Sequence, residues 1–208
     1  YEENNFVRYT TKEGLSDNYV TALQQDEQGY VWVGTIAGLN SFNGFAFSNY
    51  HPSSTVVPLL SGKIVRLKTF PSGKLGIISR NGFQLLNTKT FALKNYIIPD
   101  TTSFANYKNN MWDAYLLSNG SSYASTSAGF YTFTATGSTD FMHEAYKIED
   151  VPNKSIRYGK DIFKLNDRDF LVYLEMDKLA IYNSQKKLFR EIDPSEKEWK
   201  IFFRSGYT

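Results

Sequence analysis

The sequence contains no cysteine, which removes disulfides, thiolate catalysis and cysteine-type metal sites together. It has no apolar run near the 18 or so residues that cross a bilayer as a helix. It starts at Tyr1 with no signal-like apolar segment behind it, so it reads as a processed or trimmed product. Histidine is scarce: His51 and His143 are the only two, neither has a second histidine at ligating spacing, and each is read as a solvated loop residue. A nucleophile elbow, a phosphate-binding loop and a dinucleotide fingerprint are all missing. Charge of one sign is lacking too. The 23 basic and 21 acidic side chains leave +2 at pH 7, too little to imply nucleic acid or anionic lipid as a partner.

The composition that remains is that of a soluble globular chain, 41% hydrophobic and 21% charged over 208 residues. Aromatic residues are 16% of it, with 15 Tyr and 16 Phe, which favours strands.

Those aromatics recur in a repeat. Val20 to Gln25 leads through a turn at Asp26–Gly29 into Tyr30-Val31-Trp32-Val33-Gly34-Thr35. Ile36-Ala37-Gly38 then turns into Leu39-Asn40-Ser41-Phe42, and Asn43-Gly44 into Phe45 to Tyr50. These are four strand-like runs bounded by turn chemistry. Asn43-Gly44 predicts a type I′ hairpin, whose two central residues need φ > 0. The order returns 44 residues on, with Gly73 in place of Gly29, and again 47 later at Gly120. A worn fourth copy follows after 49 more, with Asp169 at the Gly position, and Trp199 to Phe203 resembles a fifth first strand. Four strands per 44 to 49 residues is the length of a propeller blade. A helical solenoid would space its apolar residues three and four apart. The predicted fold class is therefore all-β, a β-propeller with four-stranded antiparallel blades; a stacked two-sheet domain is the alternative.

The first copy carries a more specific signature. Phe6-Val7-Arg8-Tyr9, Gly14-Leu15-Ser16-Asp17-Asn18-Tyr19-Val20, Gln25-Asp26-Glu27-Gln28-Gly29-Tyr30-Val31-Trp32-Val33-Gly34-Thr35 and Gly38-Leu39-Asn40-Ser41-Phe42-Asn43-Gly44 resemble the two-component regulator propeller repeat. Its pattern is a GLS-x-N-x-V start, a qD-x-x-G-x-hWhGT strand and a GLN-x-F-[DN]-G turn. Later copies depart from it: Gly76, Tyr123 and Val172 stand at the Trp32 position, and Phe70, Leu117 and Asn166 at that of Asp26.

The resemblance implies a periplasmic sensor module of an inner-membrane hybrid histidine kinase of Bacteroidetes type. Such a module detects glycan breakdown products and relays this to a cytoplasmic kinase that is not in this chain. Implied partners are an oligosaccharide, further blades and downstream domains of the same parent chain, and a second copy in a homodimer. Nucleic acid is not among them, nor is membrane contact within this chain. Such propellers have seven blades, so about four to four and a half are expected here. The divisions are a leading strand of the closing blade over 1–13 and blades over 14–52, 59–97, 109–148 and 156–193. The start of a fifth covers 198–208.

Most motif residues have structural readings. Asp26 closes the turn to Gly29, and Trp32 packs between neighbouring blades. Gly34 and Gly38 allow close strand packing and a tight turn. Thr35, Ser79 and Thr126 form a column whose hydroxyl-to-backbone bonds join successive blades. Leu39, Asn43 and Gly44 complete the motif. Asn166-Asp167-Arg168-Asp169 resembles a calcium loop but lacks its third carboxylate, its Gly and its distant Glu, and is read as a turn. No catalytic residue, metal site or cofactor is expected.

Ligand contacts are expected on the face where second-to-third strand turns meet blade-to-blade connections, because long loops on a rigid scaffold carry binding. The candidates are Asn18, Tyr19, Lys63, Arg80, Asn81, Asn110, Trp112 and Tyr158. Two functional alternatives share these features: a propeller-type polysaccharide lyase or hydrolase, and a non-catalytic protein-interaction or dimerisation propeller.

Overall fold

Among the described residues, each strand of every sheet pairs with its neighbour in sequence. The computed structural model describes residues 6–99, 109–127, 129–133, 159–174, 179–186 and 188–192. Within these lie β1 (Val20–Gln25), β2 (Val31–Thr35), β3 (Leu39–Phe42) and β4 (Phe47–Tyr50), forming one antiparallel meander. A second meander comprises β5 (Ile64–Phe70), β6 (Lys74–Ser79), β7 (Gly82–Asn87) and β8 (Leu93–Tyr96). β9 (Met111–Leu116), β10 (Ser122–Thr126) and β11 (Gly129–Phe133) share a third sheet. A fourth is built from β12 (Gly159–Lys164), β13 (Asp169–Leu174), β14 (Leu179–Asn183) and β15 (Leu188–Glu191). The architecture is all-β, with four-stranded antiparallel propeller blades. The predicted start of a fifth blade, with Tyr158 and His143, lies outside the described residues.

The chain divides into two compact units, Tyr1–Ala114 and Tyr115–Thr208. In the first, Trp32, Leu39, Val57, Leu59, Ile64, Leu67, Leu75, Ile77 and Leu86 form the core between blades one and two. β2 lies so close to β5 that a Cβ on Gly34 would sit 2.7 Å from Cγ2 of Ile64. In the second unit the core is aromatic: Tyr123, Phe130, Phe170, Tyr182 and Phe189 meet mostly edge-on or tilted, with centroids about 5 to 6.5 Å apart.

Two local expectations are corrected. The Asn43-Gly44 turn is not type I′, because Gly44 has φ +96° while Asn43 is not left-handed. The loop spans Asn43 to Ala46 and is closed by the Asn43 side chain, whose Oδ1 accepts from the N–H groups of Phe45 and Ala46. This delays β4 to Phe47. Asn87 accepts from Lys89 and Thr90 in the same way, and Asn183 from Gln185 and Lys186. One asparagine-closed turn thus recurs in three blades.

The second correction concerns the hydroxyl column. Thr35, Ser79 and Thr126 donate to the carbonyls of Gly38, Gly82 and Gly129 at 3.0, 3.0 and 3.1 Å. Each of these bonds closes its own second-to-third strand turn. Residues 6–10, the described part of the expected leading strand, pair with no described strand. Instead Thr10 caps a 3-10 helix at Thr11–Glu13 with a capping box, and Tyr9 packs on Phe42 and Phe47. Hydrogen bonds from Thr10 hold the exposed Glu13 carboxyl below the usual carboxylate range.

Candidate functional site

The loop-rich face is held in place by buried amides that the sequence reading passed over. Asn40, fully buried on β3, accepts from the N–H of Ser16 through Oδ1 and donates to the carbonyl of Val33 through Nδ2. Its partner across the strands, Asn49, donates to Asn40 and to the carbonyl of Gly14. Gln84 does the same on β7. It accepts from Leu60 N–H, and its Nε2 donates to Pro58 O and to Asn95 Oδ1. Each amide therefore ties down the segment that enters its own blade. The signal was a lone Asn or Gln after an apolar residue in a third strand: Leu39-Asn40 and Phe83-Gln84.

The segment entering blade two is consequently no free loop, since Val57 and Leu59 plug the core. His51 also departs from expectation. It is partly buried rather than solvated, and its Nδ1 donates to the Ala37 carbonyl at 2.9 Å. Ser16 reaches back to Thr35, 2.8 Å between hydroxyls. The Gly-Leu-Ser start, the Gly-Thr end of β2 and the Gly-Leu-Asn turn are thereby one hydrogen-bonded knot.

The motif residues carry no free chemistry. Asp26 Oδ1 accepts from the N–H groups of Gln28 and Tyr30, and Oδ2 accepts from Trp32 Nε1 at 2.8 Å. Gly29 supplies the left-handed corner of that turn with φ +89°. Trp32 is 2% exposed and stacks on Tyr50. Asn166 accepts from Arg168 and Asp169 N–H groups and so builds a turn. Lys164 and Asp167 beside it pair at 2.6 Å, which raises the lysine's pKa and lowers the aspartate's. Among the described residues no cluster of His, Asp or Glu could hold a metal.

Of the candidate ligand residues, the structure brings three together. The Arg80 guanidinium lies over the Trp112 ring, 4.6 Å from its centroid, and Nη1 donates to Asn110 Oδ1 at 3.0 Å. Arg80 follows β6, and Asn110 and Trp112 flank the start of β9. The register that sets Ile64 opposite Ser79 places Lys63 at the same end. Lys63 is exposed. Asn81 turns aside and donates to the Leu60 carbonyl. Asn18 accepts from Thr11 N–H, and Tyr19 is 66% exposed at the entry to blade one. Tyr158 lies outside the described residues.

The electrostatics of this corner are lopsided. Asp113, with a fully buried side chain, accepts from Lys68 at 2.7 Å and from Arg66 at 3.5 Å. Among the described residues Arg80 has no carboxylate partner, and its Nε is buried with no acceptor. A buried donor left unmade costs about 1–3 kcal/mol, and more when charged. The stack on Trp112 returns about 0.5–2 kcal/mol.

A second concavity, about 340 Å³, opens between the turns of blades one and two. Tyr30, Trp32, Tyr50 and Phe91 wall it, and Lys89 and Glu27 approach at 3.7 Å nearby. Its acid, Asp26, is occupied by the turn and by Trp32.

Residues 14–37 match the family model described as two component regulator propeller. That match takes in the Gly14 start, β1, the Asp26 turn and β2. Over 51 residues this propeller is 43% identical to Histidine kinase P4 of Formosa agariphila, which is 24% of this chain and 4% of that protein. It superimposes on the extracellular domain of the hybrid two component system BT3049 from B. thetaiotaomicron with TM-score 0.70. There the identity is 22%, over 90% of this chain and 26% of that one. It also matches virginiamycin B lyase from Staphylococcus aureus, with TM-score 0.60 and 14% identity over 86% of this chain and 57% of that one. The two superpositions establish the β-propeller fold. This chain thus spans a small part of the kinase and about a quarter of the extracellular domain. Among the described residues no helix is long and apolar enough to cross a membrane.

Proposed function

We propose that this regulator propeller is the periplasmic ligand-sensing module of an inner-membrane two-component kinase, and that its ligand is an oligosaccharide released from a polysaccharide. The observation that carries this is the Gly14-to-Ala37 repeat, which the chain shares with the two component regulator propellers. The likeness to an extracellular domain of a hybrid two component system supports the placement outside the cytoplasm. The site itself supports a saccharide: an aromatic ring, an amide and a guanidinium converge at Arg80, Asn110 and Trp112, the mixture of flat apolar surface and directed polar groups that sugars use. The module binds and relays, with no chemistry of its own, to a kinase in the parent protein, which pairs with a second copy of itself. Titration calorimetry of the purified propeller against a panel of oligosaccharides tests the ligand class. Micromolar to millimolar binding to one member is expected, and silence across the panel from folded protein would remove the glycan reading. Turnover of any panel member would instead favour the lyase or hydrolase alternative.

A further inference from the structure

We infer that Arg80, Asn110 and Trp112 form a subsite for an anionic group, a carboxylate or a sulfate, on the ligand. The inference rests on the sensor reading for the ligand's sugar part but not for its charge. Three observations combine. First, Arg80 is fixed rather than free to sweep solvent: Trp112 holds its plane at 4.6 Å and Asn110 binds one nitrogen at 3.0 Å. Second, no acid among the described residues neutralises it. Among them its only hydrogen-bond partner is a neutral amide, and Nε is buried without an acceptor. The nearest buried carboxylate along the chain from Asn110, Asp113, is enclosed and already shared by Lys68 and Arg66. Third, Lys63 stands exposed at the same end of the β5–β6 hairpin. A held guanidinium with an unused terminal edge is the group that grips a planar or tetrahedral oxyanion with two parallel bonds. A fixed cation without its counter-charge is unfavourable until something supplies one, and an anionic ligand does so.

The test is calorimetry on the purified protein with three probes of matched size: a galacturonic acid trisaccharide, a sulfated galactose trisaccharide and neutral galactotriose. Inorganic sulfate is a fourth. The variants are Arg80→Gln and Arg80→Lys, with their unfolding midpoints recorded. At least one charged trisaccharide is expected to bind at least tenfold more tightly than the neutral one. Arg80→Gln is expected to weaken it about 10- to 100-fold. Arg80→Lys falls between, because the charge stays and the fork is lost. Raising salt from about 0.05 M to about 0.5 M weakens the charged probe alone. If charged and neutral trisaccharides bind equally and Arg80→Gln alters neither, the anion site is overturned while saccharide sensing stands. If sulfate alone binds and depends on Arg80, the anion site stands and the saccharide part falls. If no charged probe binds a folded protein, the inference is wrong.

Discussion

Blades one and two solve the same packing problem with different residues. In blade one, Trp32 comes from the middle of the second strand and is pinned by Asp26, which also closes the turn before it. In blade two those positions hold Gly76 and Phe70. The ring has moved from the second strand to the end of the first, and it lies over the glycine: a Cβ on Gly76 would sit 2.7 Å from Phe70 Cε2 and 2.9 Å from Phe83 Cε2. Both arrangements put one aromatic ring at the same level of the blade. The Asp–Trp pair of the motif is therefore one answer to a volume requirement, and a degenerate copy can discard both residues at once.

The largest effect should come from emptying the blade-one position. Trp32→Ala removes a buried indole and leaves Asp26 Oδ2 without its donor, so about 3–5 kcal/mol of stability should go, seen as a lowered denaturation midpoint in urea. Next is Asp26→Ala, which orphans two backbone N–H groups and the indole N–H, for a loss of about 2–3 kcal/mol. A double-mutant cycle with Trp32→Phe should show coupling of about 1 kcal/mol or more. Additivity of the pair would mean that the hydrogen bond contributes nothing. Gly76→Ala probes blade two from the opposite direction. Overpacking against Phe70 should cost about 1–3 kcal/mol, and Phe70→Leu should restore part of that loss. No recovery would show that the two positions do not share a space.

The smallest effect concerns Tyr96, the blade-two residue that ends β8, 2% exposed and stacked on Phe83. Burial raises its phenol pKa above the ordinary 10.0. The folded state thus holds that proton more tightly than the unfolded chain. Its contribution is complete below pH 10 and is lost as pH rises through the raised value. Tyr96→Phe should flatten the alkaline limb of the stability curve and leave neutral pH little changed, as thermal melts across that range can check.

Much of the fold was legible because strand-forming residues, glycine corners and small-apolar pairs all recur together at one spacing. The turn at Asn43 was misread because Asn-Gly signals a two-residue hairpin only when the asparagine backbone is left-handed. Here its side chain accepts two N–H groups and builds a longer loop. The hydroxyl column was recognised, but composition gives a donor and not its acceptor. At the site, loop position was enough to nominate Arg80, Asn110 and Trp112. Nothing in the order of residues says that a guanidinium in one turn lies on an indole 32 positions away. Asn40 and Gln84 were missed for the converse reason, since a buried amide and a solvated one are spelled alike.

That each described strand pairs with its sequence neighbour has a kinetic consequence. Closing a meander requires only short loops, so each blade's hydrogen bonds are reached at small entropic cost before any blade meets another. Contacts of low sequence separation favour fast folding, and repeated units that touch only their neighbours let structure begin in one and spread. The Asn43, Asn87 and Asn183 turns sit where such a start would be made, each ordering the last hairpin of its own blade. Blade one, with its Ser16–Thr35–Asn40 knot complete within about 25 residues of chain, is the natural place for folding to begin, and the core between blades one and two would follow by docking preformed sheets.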